Sequence, residues 1–309
     1  VLCRPTSNRS GLESMVSRFH VADLGDAEAM GRALHSARAH ADSESLQVVH
    51  NAALISYARR DRTRLQVANV EGVRNLLEAS LAAGVQRIVH VSSIVTSGFA
   101  EGGVARVEGD ECNARSLAVD YVETKLAGEG LVLDAPDSLN VRVVQPGAIF
   151  GPVEAGSNSA RFLVGMAQGK IGALAPPGGM AVVGVRDCAR GVRLALERGR
   201  SGERYLLTES YLSNRELFRE VGLRLVGRDP VRAVVPRPLW RCLGAAVRAL
   251  SIVHEPKFTT PQAMRMLGVE FNASGGRARR ELGWDPKPFG QVLDWTLGEM
   301  RRRGLLPSR

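Results

Sequence analysis

Short apolar runs alternate with helix-like stretches through the first half of the chain, and this alternation limits the possible folds more than any other feature. Runs typical of β-strands lie at 18–24, 45–50, 86–93 and 139–146. Between two of them, Val70, Val73, Leu77 and Leu81 recur at the spacing of one helix face. Strands that alternate with helices at this pitch favour a parallel sheet with helices on both faces. The sequence therefore predicts an α/β fold.

The composition and the pattern of apolar residues change after Pro146. Residues 151–181 are rich in Gly, Pro and Ala, a composition typical of loops over a binding site. The remaining residues follow mainly helical patterns. We expect residues 1–150 to form a nucleotide-binding sheet domain, with residues 182–207 packing on it as well. Residues 151–309 would form a smaller, mainly helical substrate-binding lobe.

Three local signals predict where helices begin. Asp26 precedes a helical pattern and is a favourable N-cap residue. Ser213 and Glu216 have the spacing of a capping box. Asn69 stands at the start of another apolar periodicity, and we interpret it as a helix cap rather than as a ligand.

Polar or small residues follow three of the predicted strands at their carboxyl ends, where an open parallel sheet binds its ligands. These residues are Asn51, Ala52 and Ala53 after the second strand, Ser92 and Ser93 after the third, and Pro146 at the end of the fourth. Tyr121 and Lys125 stand four residues apart on the helix predicted between the last two strands, so their side chains share one face. The sequence therefore predicts a site that includes a serine, a tyrosine and a lysine.

This combination of residue types suits the reduction of a carbonyl group by hydride. The carbonyl oxygen needs a proton donor, and a free tyrosine, with a pKa of about 10, is poorly matched to neutral pH. A lysine ammonium one helical turn away favours the phenolate and lowers the pKa of the tyrosine. A serine hydroxyl can hold the same oxygen, and the lysine can also bind the ribose hydroxyls of a nicotinamide cofactor.

Seven ordered motifs carry a resemblance to a known family. They are ADLGD (22–26), HNAAL (50–54), NVEGVRNLLEASLAAGVQRIVHVSS (69–93), YVETK (121–125), VQPGAIFGP (144–152), VRDCARG (185–191) and GGRARRELGWDPKPF (275–289). In kind and order they resemble the extended short-chain dehydrogenase/reductases, also called the NAD-dependent epimerase/dehydratase family. Within it, the chain is most similar to the dihydroflavonol reductase and 3β-hydroxysteroid dehydrogenase branch. The resemblance covers essentially the whole chain and implies a Rossmann-type, doubly wound parallel sheet.

The resemblance also implies a role for individual residues. Tyr121 would be the catalytic general acid/base. Lys125 would lower the pKa of Tyr121 and bind the ribose. Ser93, rather than Ser92, would supply the hydroxyl that orients the substrate. The implied cofactor-binding residues are Arg4, Asp23, Leu24, Asn51, Ala52, Ala53, Tyr121, Lys125 and Pro146. An arginine at position 4 favours the 2′-phosphate of NADP, so NADP is the expected cofactor and NAD the alternative; a surface role for Arg4 is also open.

One part of the family pattern is not found in the sequence. Members begin with a strand, a glycine-rich GxxGxxG turn and a helix, which together cradle the pyrophosphate. This chain begins at VLCRPTSNRS, which corresponds to the end of the second strand of the family. We therefore expect the first strand–turn–helix unit, about 30 residues, to be missing from it.

Composition and charge argue against several other classes of protein. No apolar run reaches the roughly 18 residues of a membrane span, and the opening residues do not resemble a signal peptide. The cysteines (Cys3, Cys112, Cys188 and Cys242) lack metal or redox spacing, which predicts reduced thiols, no metal site and a cytoplasmic location. The net charge of +9 arises in residues 188–309, but only 5% of the chain is aromatic and no basic recognition motif is found, so no nucleic-acid partner is expected.

The expected function is reversible hydride transfer between NADP(H) and a carbonyl or secondary alcohol of a small or medium hydrophobic substrate, by a monomer or a homodimer. A sugar-nucleotide epimerase or dehydratase, with Arg161 or Arg279 binding a diphosphate, is one alternative. A non-catalytic family member is another. Residues 238–253 form a basic amphipathic pattern that either contacts an anionic membrane or packs on its own domain, and we expect the second.

Overall fold

The computed structural model describes residues 1–41, 45–152, 157–251 and 259–307. Its strands are β1 Leu2–Cys3, β2 His20–Val21, β3 Leu46–His50, β4 Val85–Val91, β5 Val141–Pro146, β6 Ala148–Phe150, β7 Leu174–Ala175, β8 Gly179–Gly184, β9 Arg204–Leu207, β10 Ser210–Ser213, β11 Ala233–Val234 and β12 Glu270–Phe271. Its α-helices are α1 Ala27–Ala39, α2 Arg62–Gln66, α3 Gly72–Ala82, α4 Asp120–Leu133, α5 Asn158–Ala167, α6 Val185–Arg198, α7 Asn214–Val226, α8 Arg237–Leu250, α9 Pro261–Leu267, α10 Gly276–Leu282 and α11 Phe289–Arg302.

The core of the first part is a parallel sheet with the strand order β3-β4-β5-β9. Every residue of β5, the strand between β4 and β9, is buried, and its three valines are typical of a strand covered on both faces. Helices α3 and α4 pack on one face, where Val73 and Val132 meet Ile88. Helices α6 and α10 pack on the other face, where Leu194 and Leu282 belong to the same cluster as Val89 and Val144. The predicted α/β fold with helices on both faces of a parallel sheet is confirmed.

A second, short parallel ladder is formed by β1 and β2 near the beginning of the chain. Helix α1 follows it and packs on α3 through Met30, Leu34 and Leu76. Among the described residues no strand is hydrogen-bonded between β1 and β3, so the ladder and the four-stranded sheet remain separate. The expected missing strand–turn–helix unit stays a prediction.

The residues that follow β5 build a second layer of sheet and helix. Strands β6 and β12 pair with β8 in parallel, and β10 pairs with β8 in antiparallel orientation. Strand β7 pairs with β11 in parallel. Helices α5, α7 and α11 bury Leu163, Val221 and Leu293 against Phe150 and Val182 of this sheet. This part therefore contains a mixed sheet as well as the helices expected from the sequence. The sheet was not predicted, because strands of two to six residues are too short to show a clear periodicity. No helix in the described ranges is long and apolar enough to cross a bilayer.

Two of the three predicted helix starts are confirmed. The Asp26 carboxylate accepts a hydrogen bond from the Ala29 amide, and Ser213 and Glu216 form a complete capping box. The prediction for Asn69 is wrong, because the helical segment already begins at Arg62 and passes through a π-helical turn at Val67–Glu71 before α3. The backbone of this turn lies so close to α4 that a side chain at Gly128 would collide with the Asn69 carbonyl. A residue inside a continuous helix cannot cap it.

Candidate active site

The structure brings Ser93, Tyr121 and Lys125 together at the carboxyl end of the four-stranded sheet. Tyr121 lies in the first turn of α4, Lys125 one turn later, and Ser93 two residues after β4. The side chains of Tyr121 and Lys125 are buried, with 5% and 3% of their surfaces exposed. The hydroxyl of Ser93 adjoins the phenol of Tyr121 and lowers the pKa of that phenol. Two of the three predicted catalytic residues are therefore in direct contact.

Local backbone geometry orients both partners of the tyrosine. Ser93 has an extended backbone and caps the 3₁₀ turn Ile94–Ser97, accepting a hydrogen bond from the Val95 amide at 3.4 Å. Its own hydroxyl proton is thereby left for the phenol of Tyr121. Lys125 Nζ donates to the carbonyl of Val91, the last residue of β4, at 3.1 Å. The end of one strand thus holds both the serine and the lysine.

Burial dominates the electrostatics of this group. It raises the pKa of the Tyr121 phenol, and the adjoining Ser93 hydroxyl lowers that pKa in part. Burial also lowers the pKa of Lys125 to about 8, while the negative charge of Glu129 raises it. The sequence predicted that the lysine lowers the pKa of the tyrosine. In this structure the serine does so, because the ammonium group is turned towards the Val91 carbonyl.

The surroundings of Tyr121 are apolar. Tyr57 meets its ring edge-on, with ring centroids 5.8 Å apart and planes inclined by 82°. The same cluster contains Leu54, Leu117, Met180, Met266 and Phe271. Such an environment excludes water from the phenol and suits an apolar group close to it.

A cavity of about 700 Å³ adjoins this site, between the β1–β2 ladder and the residues that follow β3. Its lining includes six of the predicted cofactor-binding residues, Arg4, Asp23, Leu24, Asn51, Ala52 and Ala53. Leu54 lines the cavity and also packs against the cluster around Tyr121, so the two places share this residue as a wall. Pro146 is the buried last residue of β5, pairs with Leu207, and lies outside the described lining of the cavity.

The chemistry of this lining fits the adenosine end of a nicotinamide dinucleotide. The guanidinium groups of Arg4 and Arg9 suit a phosphate, and the small Ala52 and Ala53 let a flat group approach the backbone. Within the described part of the chain, the lining includes no glycine. Thr63 and Arg64 also line the wall, and the guanidinium group of Arg64 pairs with Asp61 at 2.9 Å.

Sequence reasoning missed two polar residues that support the site. Asn69 exchanges hydrogen bonds with the backbone amide and carbonyl of Leu54, at 2.8 and 3.0 Å, and donates to Thr124 on α4. Glu129 is buried one turn after Lys125 and accepts hydrogen bonds from several strand ends. The signal for Glu129 was in the sequence, because Tyr121, Lys125 and Glu129 repeat every four residues along one helix face.

His50 and His90 are register partners on β3 and β4. Both are buried, and their Nδ1 atoms lie 2.9 Å apart. Burial lowers the pKa of His50 to about 4 and that of His90 well below its usual range. The pair therefore stays uncharged beside Lys125 at neutral pH.

Comparison with known proteins places this geometry in a family. Residues 8–181, more than half of the chain, match the model of an NAD-binding family described as the male sterility protein. The chain belongs to this family. It is an extended short-chain dehydrogenase/reductase, a class of NAD(P)-dependent oxidoreductases, epimerases and dehydratases, so the resemblance and the enzyme class inferred from the sequence are confirmed.

Relatives of this short-chain dehydrogenase/reductase match over nearly their full lengths. The sterol demethylase protein B of Methylococcus capsulatus is 28% identical, and the match covers 98% of this chain and 90% of that protein. The putative dihydroflavonol 4-reductase of a Synechocystis strain is 25% identical, over 94% of this chain and 84% of that protein. The crystal structure of gox2253 is 28% identical with a TM-score of 0.83, over 99% and 91% of the two chains. Solved epimerases and dehydratases below 25% identity share the fold.

Proposed function

We propose that the chain is an NADP(H)-dependent oxidoreductase that interconverts a carbonyl group and a secondary alcohol, with Tyr121 as the general acid/base. The observation that carries the proposal is the grouping of Ser93, the buried Tyr121 phenol and the buried Lys125 at the end of β4, with Lys125 one helical turn after Tyr121. A hydroxyl pair of this kind, at the carboxyl end of a parallel sheet and inside an apolar cluster, suits a carbonyl oxygen that must be held and protonated.

Each residue has one task in this mechanism. When bound, the nicotinamide cofactor supplies the hydride for reduction and accepts it for oxidation. Tyr121 delivers its phenolic proton to the carbonyl oxygen, and Ser93 donates a hydrogen bond to the same oxygen and so orients the substrate. Lys125, whose ammonium donates to the Val91 carbonyl in this structure, would stabilise the phenolate that the proton leaves behind once the ammonium turns from that carbonyl towards the bound cofactor.

We assign the cofactor to the cavity beside β1 and the strand ends. Its wall residues would bind the adenosine end, and Asn51, Ala52 and Ala53 would line the path towards Tyr121. Lys125 would bind the ribose and Pro146 would contact the nicotinamide ring. Arg4 and Arg9 together favour NADP over NAD, because two guanidinium groups on the cavity wall suit an additional phosphate.

The proposed substrate is a small or medium hydrophobic molecule. Supporting it are the apolar neighbours of Tyr121 and the names of two relatives, which refer to a sterol and to a dihydroflavonol. Residues 151–309 would bind this substrate as a separate lobe, whereas residues 182–207 belong with the nucleotide-binding sheet of residues 1–150. We further propose a cytoplasmic enzyme, a monomer or a homodimer, whose partners are small molecules.

A panel of cofactors and substrates tests the proposal. NADPH oxidation is followed with hydrophobic ketones and, in parallel, the turnover of nucleotide sugars is measured. We expect ketone-dependent oxidation of NADPH that Tyr121→Phe lowers by at least about a hundredfold, with little change in cofactor affinity. Normal turnover by Tyr121→Phe would contradict the proposed mechanism. A tightly held NAD together with conversion of nucleotide sugars would identify an epimerase or dehydratase instead. In the structure Arg279, one of the two arginines considered as ligands of a diphosphate, donates hydrogen bonds to the carbonyls of Thr208 and Glu209.

A further inference from the structure

We propose that Glu129 is a positioning residue that aligns Ser93 with Lys125 and supplies the counter-charge of the lysine. The inference rests on the proposed function of this site. It concerns a side chain that touches neither Ser93 nor Tyr121 in any described contact and acts through the groups beside them.

The Glu129 carboxylate accepts hydrogen bonds from side chains on or next to several strands. Only 3% of the residue is exposed. Its donors are Ser92 Oγ after β4 at 2.5 Å, Thr96 Oγ1 at 2.6 Å, Gln145 Nε2 of β5 at 3.1 Å and Arg204 Nε of β9 at 2.7 Å. One side chain of α4 therefore connects the helix to three neighbouring parallel strands. Charge-assisted hydrogen bonds of this length are the strong kind, so the connection is rigid.

These contacts fix the backbone that carries Ser93. The side chain of Ser92 is held by the carboxylate, and its backbone amide is held by the carbonyl of Val144 at 2.8 Å. Thr96 Oγ1 lies 2.7 Å from the Ser93 carbonyl as well as near the carboxylate, and its single proton serves one of the two at a time. The turn that orients the Ser93 hydroxyl is thus fixed on both sides by groups bound to Glu129.

The same carboxylate faces Lys125 from one helical turn away. The other titratable groups around the ammonium are Tyr121 on α4, His50 on β3 and His90 on β4. Both histidines are uncharged because burial lowers their pKa values, and burial keeps the phenol protonated. Among these groups Glu129 brings the negative charge. Arg204 and Cys112 are the titratable groups that face Glu129 from β9 and from the loop before α4.

Removing the charge therefore changes Lys125 as well as the alignment. Burial lowers the pKa of Lys125 and the negative charge of Glu129 partly offsets this, so that the pKa of Lys125 is about 8 with the carboxylate present. In Glu129→Gln the ammonium loses this support, so it deprotonates at lower pH. The alkaline limb of the pH–rate profile then moves to lower pH, because a neutral lysine no longer stabilises the phenolate. A purely structural carboxylate would affect thermal stability and leave this limb where it is.

The experiment compares Glu129→Gln, Glu129→Asp and the control Glu123→Gln in the full chain. Glu123 lies on the same helix but pairs with Arg115 at the surface. We expect Glu129→Gln to lower kcat about tenfold or more with a smaller change in KM, and to shift the alkaline limb downwards. We expect Glu129→Asp, which keeps the charge on a shorter side chain, to lower kcat with the limb unshifted. Glu123→Gln should match the unmodified chain.

A second readout does not depend on activity. The chain contains Lys125, Lys170, Lys257 and Lys287, so NMR of ¹³C-labelled lysine can follow each of them, with Lys125→Arg assigning the signal. Lys125 should titrate at lower pH in Glu129→Gln than in the unmodified chain or in Glu123→Gln. An unshifted titration together with kcat within twofold of normal overturns the proposal. If the chain has no reductase activity but the titration of Lys125 still shifts in Glu129→Gln, the proposed function is refuted and the role of Glu129 stands. If Glu129→Gln does not fold, full kcat in Glu129→Asp overturns the positioning role.

Discussion

The hydroxyl of Ser93 adjoins the phenol of Tyr121 and lowers its pKa, whereas that of its neighbour Ser92 lies 2.5 Å from the carboxylate of Glu129. Successive side chains of an extended backbone point to opposite sides, so two adjacent serines serve different partners. One faces the proposed reacting oxygen, and the other faces the polar groups beneath α4. Their substitutions should therefore have different effects.

Replacing Ser93 by alanine should reduce catalysis more than stability. Ser93→Ala removes the hydroxyl that would hold the carbonyl oxygen, and we expect kcat/KM to fall by about ten- to a hundredfold. Ser92→Ala is the matched comparison, because it deletes a buried donor to Glu129 and should cost roughly 1 kcal/mol of unfolding free energy. Steady-state kinetics and urea denaturation of both variants test this. Equal kinetic losses in the two variants would contradict the assignment of Ser93.

Replacing Arg4 by aspartate should change the choice of cofactor. If Arg4 meets the 2′-phosphate of NADP, Arg4→Asp removes a charge-assisted contact and adds a repulsion, so the ratio of NADP to NAD affinity should fall by at least about tenfold. Fluorescence titration with both reduced cofactors measures that ratio. Arg18→Asp, at an exposed position outside the described lining of the cavity, is the control. A ratio unchanged by Arg4→Asp would remove Arg4 from the binding site.

The buried pair His50 and His90 should make the fold less stable in acid. In the folded state the pKa of His50 is about 4, and in the unfolded chain it returns to 6.5. Between these values the unfolded chain binds a proton that the folded chain does not, so the free energy of unfolding falls as the pH decreases. We expect a slope of up to about 1.4 kcal/mol per pH unit for each histidine.

Denaturation between pH 7 and pH 4.5 tests this linkage. The double variant His50→Gln/His90→Gln should show a flatter dependence of the unfolding free energy on pH, whatever its stability at pH 7. His35→Gln, on the exposed face of α1, should keep the slope of the unmodified chain. A double variant with the full slope would show that other groups cause the acid sensitivity.

Helix α8 should not bind the chain to an anionic membrane. Residues 252–253 of the predicted amphipathic stretch lie outside the described residues. On α8 itself the side chains of Leu243 and Leu250 are exposed. The indole of Trp240 donates a hydrogen bond to the Met264 carbonyl of α9 at 2.9 Å. Arg241 stands two positions before Leu243, which places arginine and leucine on opposite flanks of the helix. This arrangement is amphipathic and would suit a membrane surface, but the bond from Trp240 to α9 attaches the helix to its own domain, and we expect it to stay there.

Sedimentation with anionic liposomes at physiological salt tests this expectation. The chain should remain in the supernatant. Pelleting that Leu243→Gln abolishes would contradict the expectation and identify the leucine flank as a membrane surface.

Local patterns along the sequence sufficed for the elements and for part of the site. The helical period, the N-cap at Asp26 and the capping box at Ser213 act within one turn of chain, so they can be read from neighbouring residues. The shared face of Tyr121 and Lys125 follows from helical geometry in the same way. The order of strands and helices predicted the parallel sheet, because connections of this kind admit few topologies.

Tertiary structure alone decided which partner each polar group met. Asn69 looked like a cap but lies inside a π-helical turn, where it holds Leu54, because α4 packs against that turn through Gly128. Glu129 gathers donors from β4, β5 and β9, which are far apart along the chain and meet only when the sheet forms. The pKa values of Tyr121 and Lys125 depend on burial, which no local pattern encodes. The sequence by itself therefore determined which groups the site contains, and packing between distant segments determined their hydrogen bonds and charges, because both depend on contacts that the order of residues does not state.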